Sequence, residues 1–536
     1  MRFERTLSIV AMIVLAGCAG GTAQSVSAQR PGVEPAGTVS PGEEVDAGAL
    51  RAAAGTITPA DMYGHIAYLA SDELRGRNTP SPGLNEAAEY IAGVFEELGL
   101  RPAGDPGSYI QRYALQKRAV VAEETEISFS GPAGEAALDF GTDFFVLPGV
   151  PDRVRGEVVY AGAAAEARAD ESLRGRIAVF ELSGAASDPA FNRGIGRAAR
   201  AAEEAGAAAR LLMLPAGFPA GMIQRTAEHY SLAMGLQVGE VEGPATFFVS
   251  AAAAERLFEA AGADPAGLRE AVARRGPVRL DGVTAELAAP IRIEEDHRVP
   301  NVVAVLPGSD PELRDTYVVF SAHFDHVGVR RPDEAGDSIY NGADDNASGT
   351  SALLEVAEAF ASLPTPPARS LVFLAVSGEE KGLLGSQYYS DHPTVPLEGI
   401  VANINVDMIG RNAPDSIVVI GQEYSSLGPL VKGVAAERPE LGLTVSRDLW
   451  PEQRFFFRSD HFNFARKEIP ALFFFAGVHE DYHQPSDEVE KIDTDKASRV
   501  ARLIFYTAHE IASRAEPPQW TEQGLQEVRA LTGGRR

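Results

Sequence analysis

The stretch from Tyr317 to Gly349 constrains this chain more than any other. It opens Y-V-V-F-S-A-H-F-D-H-V-G and, after a charged loop, continues Y-N-G-A-D-D-N-A-S-G. The β-branched and aromatic run from Tyr317 to Ala322 contains no Gly or Pro and reads as a buried strand. His323 and Asp325 stand where that strand ends, and in an open α/β sheet ligands gather at the carboxyl ends of strands. The loop closes on Asp344, Asp345 and Asn346, and a helical pattern follows with Ser348 placed to cap it.

Later segments repeat this strand-then-acid pattern. Arg369 to Ser377 is a near-continuous apolar strand running into Gly378-Glu379-Glu380. Ile400 to Val406 leads to Asp407, and Pro470 to Phe475 leads to Asp481-Tyr482-His483-Gln484-Pro485-Ser486-Asp487. The alternation predicts an α/β fold with a mixed, mostly parallel sheet flanked by helices. His323, Glu379 or Glu380, Asp407 and His483 come from strand ends, and Asp345 from a loop that begins a helix. Two imidazoles with three carboxylates suit two Zn²⁺ ions sharing one bridging carboxylate. His326, His392, His461 and His479 do not fall at matching positions and read as spares. His65 reads as a core or boundary residue, His229 and His297 as ordinary boundary residues, and His509 as structural.

The chain has 536 residues, too many for one domain by the usual prior of roughly 100–200 residues. A balance of 48 basic against 75 acidic residues gives −27, which argues against nucleic acid and anionic lipid as partners. At the N-terminus Arg2 and Arg5 precede an apolar run from Leu7 to Leu15, too short to span a bilayer as a mature helix. Cys18 is the only cysteine, so no disulfide forms within the chain. Leu15-Ala16-Gly17-Cys18 resembles the bacterial lipobox, which implies a signal peptide over 1–18, lipidation at Cys18 and an exported, membrane-anchored protein facing the periplasm or cell exterior.

Residues 19–55 are rich in Gly, Ala, Ser, Pro and Thr and read as a flexible linker. Thr58 caps a helix with Pro59 at its first position, and Asn85 to Leu98 is a second amphipathic helix stopped by Gly99. Residues 119–290 mix short strands with Ala-rich helices and carry no metal-type cluster, so they read as an insertion within one enzyme domain at 56–118 and 291–515. Arg174-Gly175-Arg176 before a strand, an Ala-rich helix and Leu211 to Leu214 resemble a protease-associated (PA) domain, smaller and β-rich. The final helix covers Ala497 to Ser513, and 516–536 read as a polar tail.

A-H-F-D-H, N-G-A-D-D-N-A-S-G, S-G-E-E-K-G-L-L-G-S, N-V-D-M-I-G and Y-H-Q-P-S-D, in this order, resemble the co-catalytic zinc peptidases of the M28 family. That resemblance implies His323, Asp345, Glu380, Asp407 and His483 as metal ligands, with Asp345 bridging and with Glu380 and His323 on opposite metals. It implies Glu379 as general base, Asp325 bonded to the far nitrogen of His323, and a cis peptide at Asp345–Asn346. The expected reaction is hydrolysis of the N-terminal peptide bond of a peptide by a metal-activated water. A carboxypeptidase of the same fold would need an Arg facing the substrate carboxylate, for which Arg458 is the candidate. A non-catalytic lipoprotein that binds through its PA-like domain is argued against by the intact ligand set and Glu379. Phe455 to Phe457 and Phe473 to Phe475 could line an apolar pocket, although such runs also suit core strands. Preferred substrate residue and oligomeric state are not legible.

Overall fold

The computed structural model describes residues 46–186, 188–232, 237–238 and 243–532. The lipobox, Cys18 and the linker up to residue 45 lie outside them. Contacts divide the described residues into two compact units, one at 115–296 and the other at 46–114 with 297–532. The inserted unit thus extends a few residues beyond the expected 119–290 at each end.

We number seven strands of the second unit, the first of which begins just before it: β1 (Ile291–Leu306), β2 (Tyr317–His323), β3 (Ser370–Val376), β4 (Ile400–Val406), β5 (Ser416–Ile420), β6 (Thr444–Ser446) and β7 (Ala471–Phe475). Their order is β6-β5-β7-β4-β2-β3-β1. The central strands β7, β4, β2 and β3 are mutually parallel, while β1 pairs antiparallel with β3 and β5 with β7. Every residue of β2 and β3 is buried, as expected of parallel strands covered on both faces. Since the central four run the same way, His323, Gly378-Glu379-Glu380, Asp407 and the loop to His483 all leave from one edge.

Buried polar residues cross this apolar sheet in one chain of hydrogen bonds. Asn403 donates to Ser321, Ser321 donates to Asn405, and Asn405 donates to Ser459 at 2.8 Å. Asn403 and Asn405 alternate along β4, and Asp407 continues the alternation one residue past its end. The amide nitrogens and hydroxyls of this chain are all partnered, whereas Asn403 Oδ1 is buried without a partner, a state that costs about 1–3 kcal/mol.

Helix α1 (Pro59–Leu69) is capped by Thr58, whose hydroxyl accepts from the Asp61 amide. Helix α2 (Pro82–Glu97) starts earlier than its pattern suggested because Ser81 caps it and Pro82 occupies the first turn. Helix α3 (Gly349–Ala361) corrects the expected cap: the Ser348 hydroxyl donates to the Asp344 carbonyl, and Asn346 Oδ1 accepts from the Gly349 amide at 2.9 Å. Helix α4 (Thr494–Ser513) buries one long face, from Ala497 to Ala512.

Both ends of the described chain are more ordered than composition suggested. Residues Ala47–Thr56 form a helix that buries Leu50, Ala53 and Ala54, so the linker expected to reach residue 55 stops short of it. The tail beyond 516 forms a helix at Glu522–Thr532 with Val528 buried. Arg529 holds Glu468 through two nitrogen–oxygen contacts of 2.7 Å, and Trp520 Nε1 donates to the Glu468 carbonyl at 2.6 Å.

The inserted unit has an eight-stranded sheet of its own. Its middle strands Arg153–Ala163, Ile177–Glu181, Ala209–Met213 and Thr246–Val249 run parallel, and antiparallel strands flank them. Among the described residues it contains no cluster of His, Cys, Asp or Glu suited to a metal.

His461 is one of the histidines set aside from the ligands, and it belongs to the core. Its ring lies 4.8 Å from Phe473 in a stacked arrangement and 5.0 Å from Phe456 edge-on. Burial pushes its imidazole down to about 3, against the opposing charge of Asp407. The folded value lies below the unfolded value of about 6.5, so the neutral ring's contribution is complete above that pH and is lost as pH falls toward 3. In urea titrations from pH 7 to pH 4, His461→Phe should gain stability relative to wild type as the pH drops. A difference between the two proteins that is flat with pH would contradict this reading of the core.

Candidate metal centre

Asp345 stands at the centre of the site. Its Oδ1 is 3.4 Å from His323 Nε2, and its Oδ2 is 3.0 Å from His483 Nε2. The two oxygens of one carboxylate therefore face two different imidazoles, as a bridging ligand requires. His323 Nε2 lies 3.3 Å from Asp407 Oδ1, and His483 Nε2 lies 3.1 Å from Glu380 Oε1. All five residues expected as ligands converge on one crevice, and His323 and Glu380 fall on opposite sides of Asp345.

The atoms that face one another are not hydrogen-bonded to one another. His483 Nε2, Glu380 Oε1 and Asp407 Oδ1 are buried and make no aligned hydrogen bond. Buried polar atoms left in this state are costly unless a cation sits among them. Two imidazoles and three carboxylates are nitrogen and oxygen donors of the kind that hold Zn²⁺, so the residues fit a two-ion centre.

Asp407 and the loop of Asp345 are fixed from behind. Ser459 donates to Asp407 Oδ2 at 2.8 Å, ending the chain of polar groups that crosses the sheet and leaving Oδ1 to face His323. The Asp345 amide donates to Asp487 Oδ2, and the Asp344 amide donates to both Asp487 oxygens, each at 3.1 Å. Asn346 accepts from the Met408 amide and donates to the Val406 carbonyl, tying the bridging loop to the end of β4. The Asp345–Asn346 peptide is cis, as the family resemblance implied. Asp344 faces His479 at 3.3 Å and accepts from the Gly410 amide at 2.6 Å.

The expected contact of Asp325 needs correction. His323 Nδ1 lies 3.2 Å from the Asp325 backbone carbonyl, whereas the nearer carboxylate oxygen is 3.7 Å away. The carboxylate instead accepts from the Thr79 hydroxyl at 2.8 Å and from the Glu379 amide at 3.2 Å. Thr79 also accepts from the Gly378 amide. Asp325 therefore orients His323 through its main chain and Glu379 through its side chain.

Sequence reasoning missed three contributors. His326, read as a spare, places Nδ1 2.9 Å from Glu380 Oε1 and 3.7 Å from Asp345 Oδ2. Arg77, fully buried, donates to the carbonyls of Phe324, Asn341 and Gly342 and so joins the two loops that deliver His323 and Asp345. Asp460 is buried near the site, where burial pushes its carboxyl up to about 7. The run R-S-D-H-F carried no spacing signal for Asp460, and only its place behind two strand ends reveals it.

Charge in the crevice is crowded. Burial, with the negative charges of Glu380 and Asp460 adding to it, holds the Glu379 carboxyl well above its ordinary range. Burial opposes charge on His483, but the adjacent Asp345 and Glu380 carboxylates outweigh it and push the imidazole up to about 10. Bound dications invert this logic, favouring carboxylates and neutral imidazoles. Glu379 also lies close enough to His323 and Asp407 that the three could share an ion.

A small pocket opens beside these groups, lined by Asp345, Glu379 and Asp407 on one side. Met408, Phe455, Phe473, Phe475, Val478 and Tyr482 supply the apolar walls, with Arg458 also at its surface. Both phenylalanine runs thus serve as core and pocket wall at once, since Phe455, Phe473 and Phe475 are nearly buried.

Residues 301–508 match the model of Peptidase family M28. The chain is similar to a probable leucine aminopeptidase of Arthroderma otae, 27% identical over 44% of this chain and 62% of that protein. It is similar to the aminopeptidase YwaD of Bacillus subtilis, 29% identical over 38% of this chain and 42% of that protein. A probable zinc metalloprotease of Pyrenophora teres f. teres is 37% identical over 21% of this chain and 23% of its own length. The chain thus spans less than two thirds of the length of these relatives. The matched residues 301–508 carry Asp345 and the groups on either side of it, so the similarity to peptidase family M28 falls on the segment that builds this crevice.

Proposed function

We propose that this protein is a zinc aminopeptidase that removes an apolar residue from the N-terminus of peptides. The observation that carries the reading is the bridging position of Asp345 between His323 and His483, with Glu379 on the wall of the same apolar pocket. His323, Asp345 and Asp407 would hold one ion, and Asp345, Glu380 and His483 the other. When bound, the ions supply Lewis acidity that lowers the pKa of water and polarises a carbonyl.

The remaining chemistry belongs to the chain. Glu379 takes the proton of the attacking water and delivers it to the leaving amine, a role worth about 10²–10⁴ in rate. Its backbone is held by Asp325, so its carboxylate starts in place. The apolar walls around Phe455, Phe473 and Phe475 receive the first side chain of the substrate and exclude water. The carboxylates near the ions offer a counter-charge to the substrate's free ammonium, which favours an N-terminal over a C-terminal substrate.

The adjacent glutamates separate ligand from base. Glu380→Gln should lower zinc content measured by mass spectrometry. Glu379→Gln should keep full zinc while turnover of an aminoacyl anilide falls by about 10²–10⁴. Zinc lost from Glu379→Gln and kept by Glu380→Gln would reverse the two roles. Retention of both zinc and rate by Glu379→Gln would remove the general base from the mechanism.

L-A-G-C further supports attachment to a membrane through a lipid on Cys18. A single chain anchors only marginally, so multiple acylation is part of the proposal. Cys18→Ser should move the protein from the membrane to the soluble fraction on ultracentrifugation. Equal partitioning of the two forms would end the anchoring idea.

A further inference from the structure

We propose that His326 is a protein ligand of the ion held by Glu380 and His483, so that this ion is enclosed by four side chains while its neighbour keeps an open position. The inference rests on the metallopeptidase reading above. His326 follows His323 by three residues on the loop after β2, and its side chain is fully buried.

Distances carry the argument. Four ligands at about 2.0–2.2 Å from one zinc in a tetrahedron stand about 3.3–3.6 Å from one another. His326 Nδ1 is 2.9 Å from Glu380 Oε1 and 3.7 Å from Asp345 Oδ2. His483 Nε2 is 3.0 Å from Asp345 Oδ2 and 3.1 Å from Glu380 Oε1. All four donor atoms lie within 4.8 Å of one another. These separations bracket the edges of a zinc tetrahedron.

Alignment separates this from an ordinary hydrogen bond. His326 Nδ1 is buried and close to a carboxylate oxygen, yet it makes no aligned hydrogen bond, and the same holds for His483 Nε2 and Glu380 Oε1. Three buried donor atoms that approach one another without pointing at one another share a point between them. The position is also built: a Cβ on Gly342 would come within 2.5 Å of His326 Cγ, so that glycine leaves the ring its place.

On the other side, His323, Asp345 and Asp407 supply three ligands. A three-ligand zinc keeps a position for water or substrate, whereas a four-ligand zinc is closed. The two ions are then unequal: the one at His326 is tightly held, and the one at His323 faces Glu379 and the substrate.

Metal binding tests this without reference to activity. The full-length protein is stripped by chelation and titrated with Zn²⁺ and with Co²⁺ as a spectroscopic probe. Removing a residue that only orients a ligand typically weakens binding by about 10–100-fold. His326→Ala should therefore weaken one ion by more than about 100-fold, leave the other within about threefold, and lower the visible absorption of the cobalt form. A smaller loss, or equal weakening of both ions, overturns the proposal. Should the alanine variant fail to fold by circular dichroism, His326→Cys decides, because Sγ projects near the place of Nδ1. A thiolate-to-cobalt charge-transfer band supports ligation at this position and its absence overturns it. The wild-type spectrum controls for Cys18, the only natural thiol. A wild-type protein that takes up no metal overturns the metallopeptidase reading along with this one.

Discussion

The structure depends on a concentration of carboxylates around one crevice, whose mutual repulsion bound cations would relieve. Asp325, Asp345, Glu379, Glu380 and Asp407 reach one crevice. Arg77, the buried cation beside them, spends its donors on backbone carbonyls. An isolated buried carboxylate costs several kcal/mol even after relaxation, and neighbours of like charge raise that further. The fold accepts this arrangement because parallel strands put the ends of β2, β3, β4 and β7 at a single edge. Stability and chemistry are therefore opposed at this edge, and bound metal would resolve the opposition in favour of both.

What makes the site precise lies behind it. The polar chain through Asn403, Ser321, Asn405 and Ser459 starts in the middle of the sheet and ends on Asp407. Asp487 fastens the bridging loop through its amides, and it lies in the same loop as His483, so the two ligands on that side move together. Thr79 and Asp325 link the segment before α2 to Glu379. Hydrogen-bonded supports of this kind hold a catalytic group within the small tolerance that chemistry demands.

Much of this was legible in the sequence, and the reasons differ by residue. Strand runs ending in His323, Glu379-Glu380 and Asp407 carry their own signal, because apolar continuity marks a buried strand and the following acid marks its functional end. His326 gave no such signal: it sits three residues past a strand, and only the turn of the loop brings its ring to Glu380. Asp325 was placed correctly beside His323, but its carboxylate turned toward Thr79 and the Glu379 amide, partners distant in the sequence. Ser348 had the chemistry of a cap, yet Asn346 took the role because the bridging loop turns there. The helix at Ala47–Thr56 escaped because alanine-rich sequence reads equally as linker or helix until Leu50 finds a core to join.

We propose that Asp345 bridges two zinc ions. Anomalous diffraction at the zinc edge from crystals of the protein would locate them. Two peaks about 3.5–4 Å apart are expected, one on the His323 side of the Asp345 carboxylate and one on the His483 side. A single peak, or peaks away from Asp345, would contradict it.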